Sequence, residues 1–401
     1  MSEVMAVPKL RFKEFDGDWS QSRIGEIFQV TSGSTPLRSD NRFFENADIA
    51  WVKTTDLNNG LIEKTEEKIS QIALKETSVK ILPKGTVFVA MYGGFNQIGR
   101  TGLLVDEAAC NQALSAIYPN EKIESYFLLT FLNHKVDDWK NFAASSRKDP
   151  NITKSDVLAF PLTYPVKEEQ TKIASFLSTV DEKISQLTQK HALLSQYKQG
   201  MMQKLFSQQV RFKADDKSEF EEWEEKELKD IAEINPKSKK LPKSFIYIDL
   251  ESVEKGQLLL QKNIELQDAP SRAQRLLAKG DVLFQMVRPY QQNNYYFNLS
   301  GEYVASTGYA QIRTKLDSKF IYYALHEKTF LDEVMNRCTG TSYPAINSSD
   351  LSSIEILIPC LEEQTKIANF LSAIDQKIEV VAQQIEQAKQ WKKGLLQQMF
   401  V

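Results

Sequence analysis

Cysteine and histidine are scarce in this chain, which limits the chemistry that it can support. Three cysteines in 401 residues, without a Cys-X-X-Cys spacing, argue against a disulfide framework and a zinc site and suit a reducing cytoplasm. The three histidines are not paired at the spacing of metal ligands. No apolar stretch is long enough to span a membrane, and residues 1–10 lack the apolar run of a signal peptide. We therefore expect a cytoplasmic protein without a metal site; the residues concerned are Cys110, Cys338, Cys360, His134, His191 and His326.

An excess of positive charge is also missing. Lys and Arg total 50 against 53 Asp and Glu, which gives a net charge of −3 and a pI near 5.9. Proteins that bind nucleic acids over a broad surface usually carry a basic excess. Any polyanion-binding surface must therefore come from uneven placement of the basic residues or from partners. With 42% hydrophobic and 26% charged residues, the composition is typical of a soluble globular protein of two or three domains.

Sequence motifs for catalysis are absent as well. Gly94–Thr101 resembles a phosphate-binding P-loop in which Arg100 replaces the lysine, but Gly102–Val105 reads as a strand where a P-loop needs a helix. The chain has no Gly-X-Ser-X-Gly elbow, no Asn-Pro-Pro-aromatic motif of adenine methylases and no glycine-rich S-adenosylmethionine loop. Carboxylate pairs such as Asp181 and Glu182 fall on helix faces and read as solvated charge. The sequence therefore favours a recognition or scaffold role over an enzyme.

What the sequence does contain is a long internal repeat. Glu168–Ile184 (EEQTKIASFLSTVDEKI) returns as Glu362–Ile378 (EEQTKIANFLSAIDQKI) at an offset of 194 residues, and the match continues to the last residues of the chain. Both halves also open alike, with Arg11–Lys13 and Arg211–Lys213. Each half is a variable region of about 150 residues followed by a near-constant block. Because two copies are too few for a solenoid, the repeat predicts a molecule with two-fold pseudo-symmetry.

The repeated blocks show a sustained helical heptad pattern. Residues that are apolar except for His191, Lys198 and Lys392 alternate spacings of three and four for over four heptads in each block, with Gln, Lys and Glu between them. One helix cannot bury such a stripe alone, and the other copy is the nearest partner. We therefore predict an antiparallel coiled coil that holds the variable regions at opposite ends. The seam positions are Ile173, Leu177, Val180, Ile184, Leu187, His191, Leu194, Lys198, Met201 and Leu205, and Ile367, Leu371, Ile374, Ile378, Val381, Ile385, Ala388, Lys392, Leu395 and Met399.

These patterns predict an α+β fold of two pseudo-symmetric mixed α/β domains separated by the antiparallel coiled coil of two long helices. Strand-like runs follow Lys-Gly turns at Thr86–Met91 and Asp281–Val287, and Tyr126–Leu132 and Phe320–Leu325 read as helices. The predicted boundaries are an N-terminal tail at 1–8, a first variable domain at 9–164, a first helix block at 165–208, a second variable domain at 209–358 and a second helix block at 359–401.

The ends of the two helix blocks are candidate docking surfaces for a partner protein. Gly200 and Gly394 occupy matching positions in the two blocks, although glycine lowers helix propensity. Their lack of a side chain would let another chain approach closely. The last residues of the blocks, Met201–Phe206 and Leu395–Phe400, are rich in Met and Leu and end in Phe. They would offer apolar contact to a partner, although they could equally belong to the core. The predicted partner-binding residues are Lys198, Gly200, Met201, Phe206, Lys392, Gly394, Leu395 and Phe400.

Polar loops lie between the predicted strands and helices of both variable domains. Arg, Lys, Asn and Gln can read base edges in the major groove by paired hydrogen bonds, while Ser, Thr and Lys bind phosphates. A merely solvated loop would show the same composition, so DNA contact is a hypothesis for each loop. The predicted DNA-binding residues are Ser34, Thr35, Lys53, Thr54, Tyr92, Asn96, Gln97, Arg100, Arg147 and Lys148 in the first domain, and Lys237, Lys240, Gln285, Arg288, Tyr290, Asn293, Arg337, Thr341 and Tyr343 in the second.

The paired helix blocks and variable domains resemble the specificity subunit of type I restriction-modification enzymes over almost the whole chain. Other segments similar to family elements are Gly33–Pro36 with Trp51, Lys279–Phe284 with Val287–Pro289, and Ser306–Ala310. The resemblance implies that each variable domain is a target recognition domain that reads one half of a bipartite DNA site. It also implies that the helices act as a ruler for the unread spacer, and that this chain is not catalytic.

The same resemblance implies partners and cofactors. Two adenine-N6 methyltransferase subunits, which carry the S-adenosylmethionine chemistry, would dock on the helix blocks. Two restriction/translocase subunits, which use ATP and Mg, would join to cleave DNA, and this chain would bind no cofactor itself. Two alternatives stay open from the residues alone. One is a coiled-coil scaffold with two peptide- or protein-binding domains, and the other is a nucleic-acid enzyme with unfamiliar catalytic residues.

Overall fold

The computed structural model describes residues 7–94, 96–143, 151–237 and 240–401. Within it, the chain divides into two compact units. Unit 1 consists of Met1–Thr188 with Gln383–Val401, and unit 2 consists of Gln189–Ala382. Across the described residues, no helix is both long and apolar enough to cross a membrane.

Unit 1 combines short strands with short helices. The strands are β1 Ser20–Arg23, β2 Val30–Ser32, β3 Ile49–Val52, β4 Gly60–Ile62, β5 Glu67–Ile69, β6 Val87–Ala90, β7 Thr101–Leu104, β8 Ala109–Cys110, β9 Leu114–Ile117 and β10 Pro161–Tyr164. The helices are α1 Ile24–Ile27, α2 Gln71–Glu76, α3 Ser125–His134, α4 Trp139–Phe142 and α5 Lys154–Ala159, followed by the first long helix, α6 Lys167–Phe206.

The strands of unit 1 form a five-stranded sheet in the order β2-β9-β6-β7-β4, a three-stranded sheet in the order β5-β3-β8, and the pair β1-β10. Strand β6 is buried at every residue because its run is wholly apolar. It follows Gly85, whose φ of 87° gives the tight turn that the Lys-Gly pair predicts. Helix α3 buries Phe127 and Phe131 in the core. The predicted strand and helix in this domain are confirmed.

Unit 2 has the same kinds of element. The strands are β11 Glu224–Glu227, β12 Ala232–Ile234, β13 Ser244–Ile248, β14 Val253–Glu254, β15 Gln257–Leu258, β16 Lys262–Glu265, β17 Ala273–Leu276, β18 Val282–Gln285, β19 Tyr295–Tyr296, β20 Tyr303–Ser306, β21 Tyr309–Thr314 and β22 Glu355–Ile358. The helices are α7 Leu228–Ile231, α8 Ser318–Ala324, α9 Lys328–Asn336 and α10 Ser348–Ser352, followed by the second long helix, α11 Leu361–Met399.

The sheets of unit 2 follow the orders β12-β21-β18-β19 and β16-β13-β20-β17, with the pairs β14-β15 and β11-β22. Three-strand portions of unit 1 recur here: β2-β9-β6 matches β12-β21-β18, with antiparallel pairing throughout. Likewise β5-β3-β8 matches β16-β13-β20, with one antiparallel and one parallel pairing. The predicted α+β class with two pseudo-symmetric mixed domains is therefore confirmed.

Both repeated blocks form single long helices that bury their heptad stripes. In unit 1, Leu177 and Val180 of α6 share a hydrophobic core with Leu395 of α11. In unit 2, Leu205 of α6 shares a core with Ile374 of α11. The beginning of each helix thus packs against the end of the other, which is the predicted antiparallel pairing. Because both units contain parts of both helices, they do not coincide with the predicted domain boundaries, which stay a prediction.

The repeated Glu-Glu-Gln motif anchors the start of each half to a long helix. In unit 1 the guanidinium of Arg11 bonds both carboxylate oxygens of buried Glu169, at 2.7 Å each. In unit 2 Arg211 bonds buried Glu363 in the same way, over 3.2 and 2.9 Å. These hydrogen bonds raise the pKa of Arg11 and of Arg211. A buried carboxylate needs such a paired cation, which explains why both halves keep Arg11 and Arg211 in matching places.

The glutamine of the motif closes the junction between strand and helix. Gln170 donates from Nε2 to the carbonyl of Pro165, over 2.9 Å, while its Oε1 accepts from the N–H of Glu124, over 2.9 Å. Gln364 makes the same two bonds in unit 2, to the carbonyl of Pro359 and from the N–H of Asp317. Buried amides need partners on both sides. The near-constant motif is therefore a structural clamp, used once in each unit.

Candidate nucleic-acid interface

In unit 2, three segments of the chain meet where strand β18 ends. The N–H of Met286, the residue after the strand, donates to the carbonyl of Gly308 in the turn before β21, over 3.0 Å. The Met286 carbonyl accepts from the N–H of Ile346, over 3.1 Å. A further β-bridge joins Val287 to Ala345. The strand end, the turn before β21 and the loop that ends at Ile346 therefore lie side by side.

Unit 1 has the same arrangement at the end of strand β6. The N–H of Met91 donates to the carbonyl of Ala113 in the turn before β9, over 2.8 Å, and the Met91 carbonyl accepts from the N–H of Ile152, over 3.0 Å. Met91 and Met286 thus hold equivalent places, although the residues that follow them differ. A constant frame with variable loops is typical of a surface whose side chains set specificity. We refer to these two places as the convergence sites of unit 1 and unit 2.

Arg288 presents its guanidinium at the convergence site of unit 2. Its backbone is left-handed, with a φ of 54°, and its N–H donates to the carbonyl of Pro344 over 2.7 Å. The guanidinium carbon lies 4.6 Å from the ring centre of Tyr343, which is 63% exposed. Tyr290 is also exposed, at 51%. Stacking on an aromatic ring orients an arginine without using its donors. The Nε of Arg288 is buried without a partner among the described residues, so the terminal nitrogens are the donors left for a ligand.

Gln285 was predicted to bind DNA, but its side chain is not placed to contact a base. It is buried, and its Nε2 donates to the carbonyl of Val287 and to Oε1 of Gln291, over 2.8 and 2.9 Å. Its Oε1 accepts from the N–H of Asn293, over 3.1 Å. The Asn293 side chain accepts from the N–H of Lys255, over 3.0 Å. Because these bonds use up the amide of Gln285, it holds the turn in shape and has no edge left for a base.

The other residues predicted in unit 2 are placed unequally. Arg337 is turned away, since its Nη1 donates to the carbonyl of Asp350 over 3.1 Å and to Ser353 Oγ over 2.8 Å. Its Nη2 also lies 3.6 Å from a carboxylate oxygen of Glu333. The predicted residues with exposed side chains are Lys237, Lys240, Tyr290, Thr341 and Tyr343. Lys237 follows β12, so the topology brings it toward the same end of the sheet as Met286.

In unit 1, the Gly-Ser-Thr-Pro segment packs against the turn before β9. A Cβ at Gly33 would lie 2.1 Å from the carbonyl oxygen of Cys110, so only glycine fits there. The Ser34 N–H donates to that carbonyl over 3.0 Å, and the Ser34 carbonyl accepts from the indole N–H of Trp51 over 3.2 Å. The next residue, Thr35, donates from its hydroxyl to the side chain of Gln112. The segment therefore lies at the convergence site of unit 1.

Lys53 is compensated by two carboxylates. Its ammonium lies 2.7 Å from Glu67 and 3.1 Å from Glu66, and the hydrogen bond to Glu67 is the main reason that its pKa is raised. A lysine paired in this way has little charge left to offer a phosphate. Its neighbour Thr54 is partly exposed. Both stay predicted DNA-binding residues, but the geometry favours a structural role for Lys53.

The loop after β6 carries the remaining described residues of the first prediction. Tyr92 is 45% exposed and Asn96 is exposed, whereas Gln97 and Arg100 are partly buried. The loop closes against Trp139, because a Cβ at Gly99 would lie 2.4 Å from that ring. Strand β7 follows directly, as the sequence predicted, which separates this loop from a P-loop. Arg147 and Lys148 lie outside the described residues.

Sequence reasoning missed the turns before β9 and β21 as parts of the site. Gln112 is exposed in the first turn. In the second, the N–H of Thr307 donates to the carbonyl of Arg272, which is itself exposed, over 2.9 Å. Both turns precede a strand that is largely buried and central in its sheet. That pattern, a polar turn before matching strands of the two halves, was the available signal.

The residues predicted to bind partners are mostly engaged within their own units. Leu395 and Phe400 are buried in the core of unit 1, and Met201 packs against the core of unit 2. Phe206 contacts the rings of Trp223 and Phe320. Lys198 and Lys392 form ion pairs with Asp375 and Asp181. An added Cβ at Gly200 or Gly394 would meet nothing within 4 Å, so among these residues the two glycines mark open helix surface.

Metal chemistry finds no support in the part of the chain that the structure describes. There, no group of three or more His, Cys, Asp and Glu side chains is arranged to hold a metal ion. The described cysteines are free, and burial raises the pKa of the Cys110 thiol to about 12. What the site offers is a guanidinium, amides, hydroxyls and exposed rings. Such groups suit recognition by hydrogen bonding and stacking.

Comparison with known proteins also finds two similar parts in the chain. A family model described as "Type I restriction modification DNA specificity domain" matches the chain twice, at residues 16–196 and 220–390. The chain is 26% identical over 421 aligned residues to the type I restriction enzyme MjaIX specificity subunit of Methanocaldococcus jannaschii, which covers 96% of this chain and 94% of that protein.

Two solved structures share the fold. The S subunit of a type I restriction-modification system from M. genitalium superposes with a TM-score of 0.63 at 17% identity, covering 98% of this chain and 99% of that chain. A chain from a structure titled for complex assembly and conformational transition of the type I R-M system gives a TM-score of 0.54 at 20% identity, covering 94% and 96%. At such identities these likenesses establish the fold alone.

Proposed function

The chain belongs to the type I restriction-modification DNA specificity family, and on that premise we propose that it is the non-catalytic subunit that selects DNA sequence for a type I restriction-modification complex. The observation that carries this proposal is the convergence site, built once in each unit around Met91 and Met286. Each site has the same backbone frame and different exposed side chains. Two such sites on one chain suit the reading of a bipartite DNA sequence, one half for each unit.

The chemistry of unit 2 supports a major-groove contact. A guanidinium can donate two parallel hydrogen bonds to O6 and N7 of guanine, and each such pair discriminates by about 1–3 kcal/mol. Arg288 is oriented by its stack on Tyr343 and leaves its terminal donors open. Lys237 and Thr341, both exposed, suit phosphate contacts that fix register. We expect unit 1 to use Asn96, Gln112 and Arg100 in the corresponding way.

The long helices have two roles in this proposal. They act as the ruler that fixes the unread spacer between the half-sites, and their open surfaces dock two adenine-N6 methyltransferase subunits. Gly200 and Gly394 support the second role, because a partner helix can approach closely at both. Two restriction/translocase subunits complete the complex. S-adenosylmethionine, ATP and Mg act in those partners, and the complex works in the cytoplasm.

Selection of DNA from a random duplex pool tests this function. The chain would be assembled with a methyltransferase subunit and used to retain DNA through repeated rounds. We expect one motif with two specific halves and an unread spacer. Absence of any sequence preference, with and without the methyltransferase, would instead favour a peptide- or protein-binding scaffold. Methylation or cleavage by the purified chain alone, lost on a point substitution, would make it an enzyme.

A further inference from the structure

Unit 2 carries a groove that is separate from Arg288 and the convergence site. It has a volume of about 460 Å³ and lies over the strand pair β11-β22 and helix α9, at the end of the first long helix. Its apolar floor includes Phe206, Phe330 and Ile356, and Leu357 on its edge is 40% exposed. A concave surface with an apolar floor is shaped to receive a protein side chain or a turn of helix.

The rim of this groove is acidic. Glu225, Glu333 and Glu355 line it and are exposed. Arg337 also lines the groove and compensates Glu333 from 3.6 Å away. Neither Glu225 nor Glu355 forms a salt bridge within the described residues. Two carboxylates therefore line the groove without a salt-bridge partner among the described residues.

The stability of the strand pair β11-β22 does not explain why it carries these carboxylates. In the antiparallel ladder of β11 and β22, Glu227 lies directly opposite Glu355. Like charges placed opposite each other destabilise a strand pair. Lys229 offsets part of the repulsion, since it pairs with Glu227. The strand pair thus keeps a carboxylate that its own stability would favour losing.

Unit 1 shows that the strand pair does not need these residues. Its counterpart is the ladder β1-β10, with the same antiparallel pairing. There, the places of Glu225 and Leu357 are held by Gln21 and Thr163, and those of Glu227 and Glu355 by Arg23 and Pro161; the four positions of unit 1 therefore carry no carboxylate. At these four ladder positions the acidic and apolar side chains are found in unit 2 and not in unit 1, although the two strand pairs correspond.

The charge restricts what can occupy the groove. DNA is excluded, because its phosphates would be repelled by the rim. A metal ion is not favoured, because no described group of carboxylates is arranged to hold one. A protein segment that combines Lys or Arg with an apolar side chain complements both rim and floor. The groove is also continuous with the end of α6, since Phe206 belongs to both.

We propose that a basic, partly apolar segment of one methyltransferase subunit docks in this groove, so that the two methyltransferase subunits bind the chain unequally. The inference rests on the proposed function, which supplies the partner. The subunit beside unit 2 gains contacts with Glu225, Glu355 and Leu357 that the subunit beside unit 1 lacks. Its binding is therefore tighter and more sensitive to salt.

Titration of the full chain with the methyltransferase subunit tests this, with calorimetry for affinity and native mass spectrometry for stoichiometry. The variant carries Glu225→Gln and Glu355→Gln, and the control carries Glu251→Gln and Glu302→Gln, two exposed carboxylates of the same unit with the same charge change. In wild type we expect two steps of different affinity, the tighter one weakening more at high salt. The variant should lose about tenfold in the tighter step only, from two ion pairs of roughly 0.7 kcal/mol each.

The melting temperature shows whether the Glu225→Gln and Glu355→Gln variant binds its partner more weakly because docking contacts are lost or because the fold is less stable. Because the variant removes the repulsion between Glu227 and Glu355, its melting temperature should be equal to or above that of wild type. Replacing Leu357 with Ser should weaken the same step without changing charge. Equal affinity of variant and wild type, equal loss in both steps, or a lower melting temperature of the variant would overturn the inference. Failure of the wild-type chain to bind any methyltransferase would overturn the proposed function as well.

Discussion

Lys392 on the second long helix forms an ion pair with Asp181 on the first, with 2.5 Å between Nζ and Oδ1. Asp181 also accepts a hydrogen bond from the Tyr126 hydroxyl, over 2.7 Å. In unit 2, Lys198 pairs with Asp375 over 2.6 Å, and Tyr323 donates to that aspartate over 2.6 Å; these are the same contacts with the helices exchanged. The lysines in the heptad seam are therefore matched to carboxylates of the opposing helix.

This matching sets a condition for changing the length of the helices. Asp181 and Lys198 are 17 residues apart, and so are Asp375 and Lys392. Inserting four residues between Asp181 and Lys198, and four between Asp375 and Lys392, lengthens each helix by roughly 6 Å and keeps both ion pairs. We predict that this matched insertion lengthens the unread spacer by a base pair or two. The same insertion in one helix alone should misalign one ion pair and lower stability.

The spacer of the methylated motif, read by modified-base sequencing, checks the ruler. Wild type and the matched insertion would be compared in the same host. An unchanged spacer in a variant that still methylates would remove the ruler from the account. Altered bases within a half-site would contradict the separation of reading from spacing.

Two matched tryptophans test the clamp formed by the Glu-Glu-Gln motif. The indole N–H of Trp223 donates to buried Glu363 over 3.0 Å, beside Arg211. Trp19 occupies the corresponding place in unit 1 and packs against similar rings, but its N–H has no partner within the described residues. Replacing Trp223 with Phe should therefore cost about 1–2 kcal/mol more than replacing Trp19 with Phe. Urea unfolding of both variants measures the difference, and equal costs would mean that the hydrogen bond adds nothing to packing.

His326 predicts a loss of stability in mild acid. Burial lowers its pKa, and its Nδ1 donates to the Tyr322 carbonyl over 2.7 Å, while its Nε2 faces the amide of Asn294 at 3.4 Å. The neutral ring suits both contacts. Below about pH 6.5 the unfolded chain binds a proton that the folded chain resists, so the free energy of unfolding should fall by up to about 1.4 kcal/mol per pH unit. Above that pH, His326 should contribute no slope.

Urea unfolding between pH 7.5 and pH 5.5 reveals the His326 contribution by comparison with a His326→Gln variant. The variant should show a shallower decline over this range than wild type. Parallel pH profiles for the two proteins would show that protonation of His326 is not the cause. Because burial also lowers the pKa of His134, some slope should persist in the variant.

Substitutions of Arg288 and of Gln285 are predicted to have different effects, the first on DNA binding and the second on stability. Replacing Arg288 with Ala removes a partly buried guanidinium whose terminal donors are unpaired among the described residues, and should weaken binding to the recognised half-site by about 10-fold or more, with little change in melting temperature. Replacing Gln285 with Ala leaves the N–H of Asn293 and the carbonyl of Val287 without their partners, and should lower the free energy of unfolding by about 1–3 kcal/mol. Fluorescence anisotropy with half-site duplexes, together with thermal melts, separates the two effects. Normal DNA specificity of the Arg288 variant would show that this residue does not read bases.

The strongest sequence signals predicted structure well. Ten heptad positions in each block specify a helix with one apolar stripe, and both helices extend through their blocks. The strand before Met91 and its counterpart before Met286 were also predictable, because each is a largely apolar run after a Lys-Gly turn. Long periodic segments and wholly apolar strands are fixed by local pattern, which tertiary contacts reinforce.

Polar side chains could not be placed in the same way. Gln285 and Arg288 lie three residues apart in one polar turn, yet the first is buried by bonds to Val287, Gln291 and Asn293 while the second stacks on Tyr343. The stack on Tyr343 depends on a loop that is distant in the chain, whereas the bonds of Gln285 depend on how the turn itself folds. The burial of Glu169 in the repeated motif could not be predicted from the sequence either, because a glutamate that is buried against an arginine has no sequence pattern of its own. Partners from remote segments decide such cases.

Modified-base sequencing of a methylation-free host tests directly whether this chain selects the DNA sequence. The host would express this chain together with its methyltransferase subunit, and a matched culture would express the methyltransferase alone. We expect N6-methyladenine on both strands of one split motif, lost when this chain is omitted. Methylation that persists at the same motif without this chain, or no methylation despite an assembled complex, would contradict this expectation.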